Sequence, residues 1–306
     1  AGFYVKERCE QESGGLRGVV EAKHFYKKGQ HRAEAIGLRS TENEFESWAR
    51  VEMIRIEPLA KAELDRLDAA AGPALPERSF STPREAFLGG ATIDCPGCDL
   101  VGMNLSYRDL EGGNLSGADL EGAILHRANL RKADLSGAHM ALANFNRADL
   151  TLAVLRDANL VNAMLFEANA QRADFSQANL TFAIMHSARM SSANFSDAIL
   201  NVALLSEARL SNANLTNVAL NGANLNLTVL LRADLRGAVA DKADFIEANL
   251  RDANLGGASL RDSDFFGADL AGADLTNADF SRAELQSAIL VDTNQTGTVF
   301  AGAKMP

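Results

Sequence analysis

Large apolar residues recur at every fifth position along the second two-thirds of the chain. From Leu100 to Met305, every residue whose number ends in 0 or 5 is Leu, Phe or Met, except Ala170, Ala240 and Gln295. The residue two places earlier is nearly always Ala, and the residue directly before it is most often Asn or Asp. A five-residue period matches neither the 3.6-residue period of a helix nor the two-residue period of a strand. The pattern therefore predicts a repeat architecture.

Each repeat has five positions, which we name by residue number. Numbers ending in 3 or 8 are the alanine position, 4 or 9 the ladder position, and 5 or 0 the core position. Numbers ending in 1 or 6, and then 2 or 7, are the first and second turn positions. A repeat this short cannot bury its own apolar residue, so neighbouring repeats must stack around one core. Asn and Asp at the ladder position suit turns, because their side chains bond to local backbone.

The repeats at 116–135, SGADL EGAIL HRANL RKADL, show an A-(D/N)-L-x-x pattern. This pattern is similar to that of the pentapeptide-repeat family, and the resemblance covers about 210 residues. It implies a right-handed quadrilateral β-helix of about ten coils, with four repeats per coil and the core and alanine positions pointing inward. Residues twenty apart then lie above one another, which predicts three stacked phenylalanine pairs: Phe175 with Phe195, Phe245 with Phe265, and Phe280 with Phe300.

The N-terminal third lacks this period. Apolar residues at roughly helical spacing predict a helix from about residue 43 that breaks or restarts at Pro58 and ends before Gly72. We expect 1–83 to be a partly α-helical capping or partner-binding segment with a linker at 72–83, followed by the β-helix at 84–306. Residues 1–40 receive no assignment. A cap is the simpler role, because an uncovered first coil is an aggregation-prone strand edge.

Some outward positions carry apolar side chains where polar ones are the rule. Met164, Ile184 and Leu204 lie twenty apart at the ladder position and predict a vertical stripe. Contiguous exposed apolar surface usually marks an interface, although the N-terminal helix or simple sheet packing could also account for it. The predicted partner-binding residues, named here the apolar surface, are Leu142, Met164, Phe166, Phe182, Ile184, Val202 and Leu204.

The start of the repeat region holds two further candidates. Cys95-Pro-Gly-Cys98 occupies a core and an alanine position, which favours core thiols or a structural disulfide at the cap over a zinc or redox site. Arg108 stands where Ala is expected, and a buried unpaired guanidinium is costly. We expect it to reach a carboxylate or carbonyl of the N-terminal segment. No metal site and no cofactor are predicted.

Charge limits the possible functions. Residues 94–306 hold 16 Lys/Arg and 25 Asp/Glu, a net of −9, so no basic footprint for nucleic acid is present. Some members of the family imitate duplex DNA and bind DNA gyrase, which the resemblance makes an alternative here. However, the two turn positions carry 11 acidic and 12 basic residues, so their charges cancel. A DNA mimic needs uncompensated negative charge there.

The sequence therefore favours a non-enzymatic protein–protein interaction scaffold, with a gyrase- or topoisomerase-binding DNA mimic as the first alternative. A metal- or redox-linked role of Cys95 and Cys98 with the N-terminal segment is the second. No run of residues is long and apolar enough to predict a membrane span. No capping helix is predicted after the final coils, so a homodimer formed through this uncapped solenoid end is also expected. The absence of an initiating Met slightly favours export to a periplasm or organelle lumen over the cytoplasm.

Overall fold

A computed structural model gives the structure of the chain and describes residues 3–13, 16–27, 30–35, 50–58 and 82–306. The chain divides into two compact units, Ala1–Ser79 and Phe80–Pro306. In the first unit, the description covers the backbone of four strands. In the second unit, it covers the side chains as well.

The first unit contains a four-stranded antiparallel sheet in the order β3-β2-β1-β4. Its strands are β1 (Phe3–Ser13), β2 (Leu16–Lys27), β3 (Gln30–Ala35) and β4 (Arg50–Pro58). The central strand β1 pairs with β2 along its whole length and with β4 on its other edge. A register shift between Val5 and Glu7 interrupts the second pairing.

The helix predicted from about residue 43 is wrong where the structure describes that segment, because Arg50–Pro58 is a strand. Val51, Ile54 and Ile56 are β-branched, which favours extended backbone. Their pairing partner β1 lies far away in the sequence, so local spacing alone did not reveal it. The rest of that predicted helix and residues 72–81 of the predicted linker lie outside the described residues.

The second unit begins with a short helix, α1 (Pro83–Leu88). The hydroxyl of Thr82 accepts a hydrogen bond from the Glu85 amide at 3.2 Å, and Pro83 occupies the first turn, where no amide donor is needed. Gly89 ends the helix. Pro83, the last residue of the predicted linker, is therefore the first residue of α1.

From residue 95 onward, the backbone winds into coils of twenty residues. Parallel bridges join each ladder residue to the one twenty later, from Asp99↔Asp119 to Glu284↔Lys304. The Leu100 amide donates to the Asp119 carbonyl at 2.7 Å, and the same pattern repeats along the chain. Four pentapeptides therefore form each coil, which gives it four sides and four corners. The right-handedness implied by the resemblance stays a prediction.

One hydrophobic core runs along the inside of the coils. Core and alanine positions are almost all fully buried from Leu110 to Leu285. The three predicted phenylalanine stacks are confirmed, with ring centroids 4.8 Å apart for Phe175–Phe195, 4.6 Å for Phe245–Phe265 and 5.5 Å for Phe280–Phe300. Side chains at turn and ladder positions therefore make up most of the outer surface.

Candidate functional site

The ladder residues of the apolar surface share one side of the coils. Parallel bridges join Met164 to Ile184 and Ile184 to Leu204. Each ladder residue and the one twenty later are therefore neighbouring rungs of one column, and these three residues occupy successive rungs. Ile184 and Leu204 keep 38% and 44% of their surface exposed, whereas the neighbouring core residues are fully buried. The structure therefore forms a continuous apolar strip on the outside of the solenoid.

The second turn residues of the apolar surface lie along the corner that precedes this side. Phe182 and Val202 are one coil apart, and both are about half exposed. Leu142 lies two coils before Phe182, and Asn162 occupies the position between them. The corner column is therefore an apolar pair with Leu142 as a separate third member.

Phe166 lies at the polar boundary of the apolar surface. Its ring stacks on His186 with centroids 5.7 Å apart, and the Arg147 guanidinium lies 6.0 Å from the ring centroid. His186 Nδ1 is 2.8 Å from the Ser206 hydroxyl. Phe166 is half-buried by these contacts, so it offers a partner less apolar area than Phe182 does.

Sequence reasoning missed three residues near the apolar surface. Ile124 shares the column of Met164, with Asn144 on the rung between them, and it is 38% exposed. Arg189 and Arg209 bridge each other at the ladder position of the next side of the coil. Since 189 and 209 differ by twenty, the same column rule could have found this arginine pair.

The first coil is closed by α1. Phe87 is fully buried, and Arg108 donates a hydrogen bond to its carbonyl while the guanidinium carbon lies 4.1 Å from its ring centroid. Burial lowers the pKa of Arg108. A disulfide joins Cys95 and Cys98, whose Cα atoms are 5.4 Å apart. These contacts place both cysteines and Arg108 at the capped end of the solenoid.

Many carboxylates of the solenoid are paired with arginines, some of them one coil away at the same corner. Arg261 binds Asp241, and Arg282 binds Asp262, each at 2.6 Å. The hydrogen bond from Arg282 lowers the pKa of Asp262. This pairing reduces the uncompensated negative charge that imitation of duplex DNA requires.

Among the residues that the structure describes, no group of three His, Cys, Asp or Glu side chains is placed to hold a metal ion. Within the same ranges, no helix combines the length and the apolar composition that crossing a bilayer requires.

Comparison with known structures finds similar chains, several of which are described as pentapeptide repeat proteins. HetL, a pentapeptide repeat protein involved in heterocyst differentiation regulation from the cyanobacterium Nostoc sp. strain PCC 7120, is 29% identical, with a TM-score of 0.44. That match covers 81% of this chain and 98% of HetL. A pentapeptide repeat protein from the Arabidopsis thaliana thylakoid lumen is 28% identical over 50% of this chain and 72% of its own, with a TM-score of 0.14.

Full-length QnrB1, a plasmid-mediated fluoroquinolone resistance protein, is 17% identical. The match covers 70% of this chain and 93% of QnrB1, with a TM-score of 0.35. No curated protein sequence matches the chain significantly. A family model described as pentapeptide repeats matches overlapping segments that extend from residue 98 to residue 305. Because these segments cover more than half of the chain, the protein belongs to the pentapeptide-repeat family.

Proposed function

We propose that the solenoid is a non-enzymatic scaffold and that the apolar surface binds a protein partner. The observation that carries this proposal is the strip Met164–Ile184–Leu204 beside Phe182 and Val202, all on the outside of the coils. Contiguous exposed apolar area of this kind is typical of an interaction site. Full burial of an exposed side chain of this kind contributes about 1.5–3 kcal/mol, and these side chains are already about half buried, so a partner gains roughly half of that from each one it covers.

Backbone conformation shows what these apolar residues cost the coil. Phe182 and Val202 have φ of 59° and 57°, in the left-handed region where Gly and Asn are preferred. At the same corner, Gly222 and Asn162 show that less costly residues fit the coil. A bulky residue and a β-branched residue in this conformation add no core packing, because both side chains point outward. Leu152 and Leu227 share this conformation at other corners, so the apolar strip, not the φ values, carries the proposal.

The test compares two double substitutions in the full chain. Phe182→Asp plus Leu204→Asp places charges within the apolar surface. The control, Leu152→Asp plus Val239→Asp, changes a second turn residue and a ladder residue outside the apolar surface, and neither has an acidic residue one coil away in its column. We expect the first variant alone to lose crosslinking to its native partner while both variants keep their circular dichroism spectra.

Two results would count against this function. Equal crosslinking by both variants would show that the partner binds elsewhere. Crosslinks between residues 160–206 and residues 1–79 of the same molecule, with no intermolecular product, would show that the chain covers its own surface. Sedimentation velocity at several concentrations shows whether the partner is a second copy.

Imitation of DNA is the second candidate, supported by the net charge of −9 over residues 94–306. Arginine pairs such as Arg261–Asp241 and the exposed apolar strip favour the scaffold instead. A gyrase supercoiling assay distinguishes the two functions: we expect no inhibition by the wild-type protein at concentrations that saturate its partner.

A further inference from the structure

Two arginines stand on successive rungs beside the apolar surface. The ladder position holds Asn, Asp or an apolar residue almost everywhere, and Arg189 and Arg209 are its only arginines. They form a parallel bridge, and both side chains are exposed. Within 82–306, neither guanidinium has a hydrogen bond, an ion pair or an aromatic contact, whereas Arg261 and Arg282 both bind carboxylates one coil away. The pair is therefore two neighbouring positive charges that no carboxylate of the described residues binds.

This arrangement is unfavourable for the isolated solenoid. Like charges on directly adjacent strand positions repel each other and destabilise the pairing. The repulsion is relieved when an anion lies between the two guanidinium groups. Their planar forks are suited to a carboxylate, which they can bind with two parallel hydrogen bonds each.

Replacing Asn or Asp by Arg also frees backbone donors. At other repeats, the ladder side chain accepts from the amide two residues later: Ser196 donates to Asn194 Oδ1 at 3.2 Å. Arg189 and Arg209 have no side-chain oxygen, and the amides of Ser191 and Ser211 have no acceptor within the described residues. These two amides lie one coil apart at the same corner, and the two serine hydroxyls accompany them. Each of these amides can donate a charge-assisted hydrogen bond to a carboxylate.

The donor-rich corner and the apolar surface occupy the same coils. Arg189 follows Ile184 by five residues and Arg209 follows Leu204 by five, so the two pairs lie on adjacent sides of the solenoid. A different corner lies between the apolar strip and the arginine pair, where His186 contacts the Ser206 hydroxyl and lies 3.7 Å from the Glu207 carboxylate. A ligand that extends across this corner contacts apolar side chains on one side and positive charges on the other.

We infer that Arg189 and Arg209 bind carboxylates of a protein partner and that the partner segment combines acidic with apolar residues. This inference rests on the proposed function, because it names the chemistry of the segment that the apolar surface binds. A nucleic acid is a poor fit, since residues 94–306 as a whole have a net charge of −9, which repels a polyanion. A short acidic segment meets the positive charge locally.

The experiment uses the full chain and defined peptides. One fluorescent peptide alternates leucine with glutamate, a second alternates leucine with glutamine, and a third alternates leucine with phosphoserine. Binding is followed by fluorescence anisotropy at low and at physiological salt. Arg189→Gln plus Arg209→Gln removes the charges, and Arg232→Gln plus Arg251→Gln is the control at two exposed arginines elsewhere on the solenoid.

We expect the glutamate peptide to bind the wild-type chain and the control variant alike. The Arg189→Gln plus Arg209→Gln variant should bind it about tenfold more weakly and with less dependence on salt, because charge-assisted bonds are lost. The glutamine peptide should bind weakly and equally to all three proteins. Phe182→Asp plus Leu204→Asp should weaken the binding of both the glutamate and the glutamine peptide, because both contact the apolar surface through their leucines.

The outcomes separate the two proposals. Equal affinity of the glutamate peptide for the wild type and the Arg189→Gln plus Arg209→Gln variant would overturn the carboxylate assignment. If Phe182→Asp plus Leu204→Asp then still weakens binding, the proposed function stands without it. Tighter binding of the phosphoserine peptide than of the glutamate peptide would also overturn the assignment, in favour of phosphate. No binding of either acidic peptide would reject it as well.

Discussion

At the scale of single residues, the second turn position imposes the strictest requirement on the backbone. From Gly97 to Gly302, every residue at this position has a positive φ, whether or not it is glycine. The alanine-position amide then donates back to the preceding core carbonyl, as Met103 does to Leu100 at 3.1 Å, and closes the turn. Gly, Asn and Asp adopt this conformation most easily, and β-branched residues pay the largest steric penalty.

Val202 therefore provides a direct test of stability against binding. We expect Val202→Asn to raise the free energy of unfolding by about 1 kcal/mol, because Asn tolerates the left-handed conformation. The same change should weaken partner binding, since it removes an apolar side chain. Asn162→Val, in the same column, is the reverse control and should lower stability. Chemical denaturation measures both; a destabilised Val202→Asn would show that the φ of Val202 carries no strain.

Ladder carboxylates on adjacent rungs provide a second test. Burial and the charge of Asp264 raise the pKa of Asp244. A carboxyl whose pKa is raised in the folded state lowers the free energy of unfolding at pH values above its unfolded-state pKa. This loss disappears once the carboxyl is protonated in both states. Asp264→Asn should therefore stabilise the protein by a few tenths of a kcal/mol at neutral pH and by nothing in strong acid. The new amide can donate to Asp244, as Asn194 does to Asp174 at 2.9 Å.

Urea unfolding at both pH values, with NMR titration of Asp244, measures this effect. The control is Asp269→Asn, which removes a carboxylate 3.0 Å from Arg251 and should give no gain. A gain from Asp264→Asn that persists in acid would contradict the electrostatic explanation.

At the scale of elements, the capped end of the solenoid departs from the repeat for an identifiable reason. All four alanine positions of the first coil are changed: Cys98, Met103, Arg108 and Gly113. Arg84 of α1 donates to the Asp99 carbonyl at 2.5 Å and contacts the Met103 sulfur at 3.8 Å. The inward residues of this coil therefore pack against α1 and the segment that follows it, instead of against a preceding coil.

Gly113 shows the consequence most clearly. A Cβ there would lie 2.6 Å from the Ile93 carbonyl oxygen, which is backbone. Gly113→Ala would restore the residue typical of the repeat, yet we expect it to destabilise the cap by about 1–3 kcal/mol through overpacking. Hydrogen exchange of α1 and of the Cys95 amide measures this loss. Ser263→Ala, which restores Ala deep inside the solenoid, is the control and should leave α1 protected.

At the scale of the whole solenoid, the period of twenty decides which side chains meet. Each coil contacts only its neighbours, so repeats can be removed without loss of the remaining core. Deleting residues 171–175 removes one pentapeptide and moves every later column by one side of the coil. Ile184 then stacks on Asn159 instead of Met164. We expect a folded solenoid with an interrupted apolar strip and lost partner binding.

Deleting residues 246–265 is the matched control, because it removes one complete coil beyond the apolar surface. The columns stay aligned, so partner binding should persist. Circular dichroism and the crosslinking assay measure both deletions. Retained binding after deletion of 171–175 would show that the partner does not need the column of Met164, Ile184 and Leu204.

The sequence alone determined the repeat, the core and the columns of stacked residues. Each residue stacks on the residue twenty positions later with the same geometry throughout the solenoid. The contacts of Phe175 with Phe195 and of Met164 with Ile184 can therefore be predicted from residue numbers alone. The same rule applies to Arg189 and Arg209, which are also twenty residues apart and therefore stack on each other.

Tertiary structure decided what depends on contacts without a fixed period. The strand Arg50–Pro58 pairs with Phe3–Ser13 across a long stretch of chain, and its apolar spacing alone suggested a helix. Arg108 likewise found the carbonyl and ring of Phe87, whose approach the repeat does not encode. Contacts within the solenoid always join residues about twenty positions apart, so they can be predicted from the sequence. The sheet and the cap depend on contacts without a fixed sequence separation, so only the folded chain shows them.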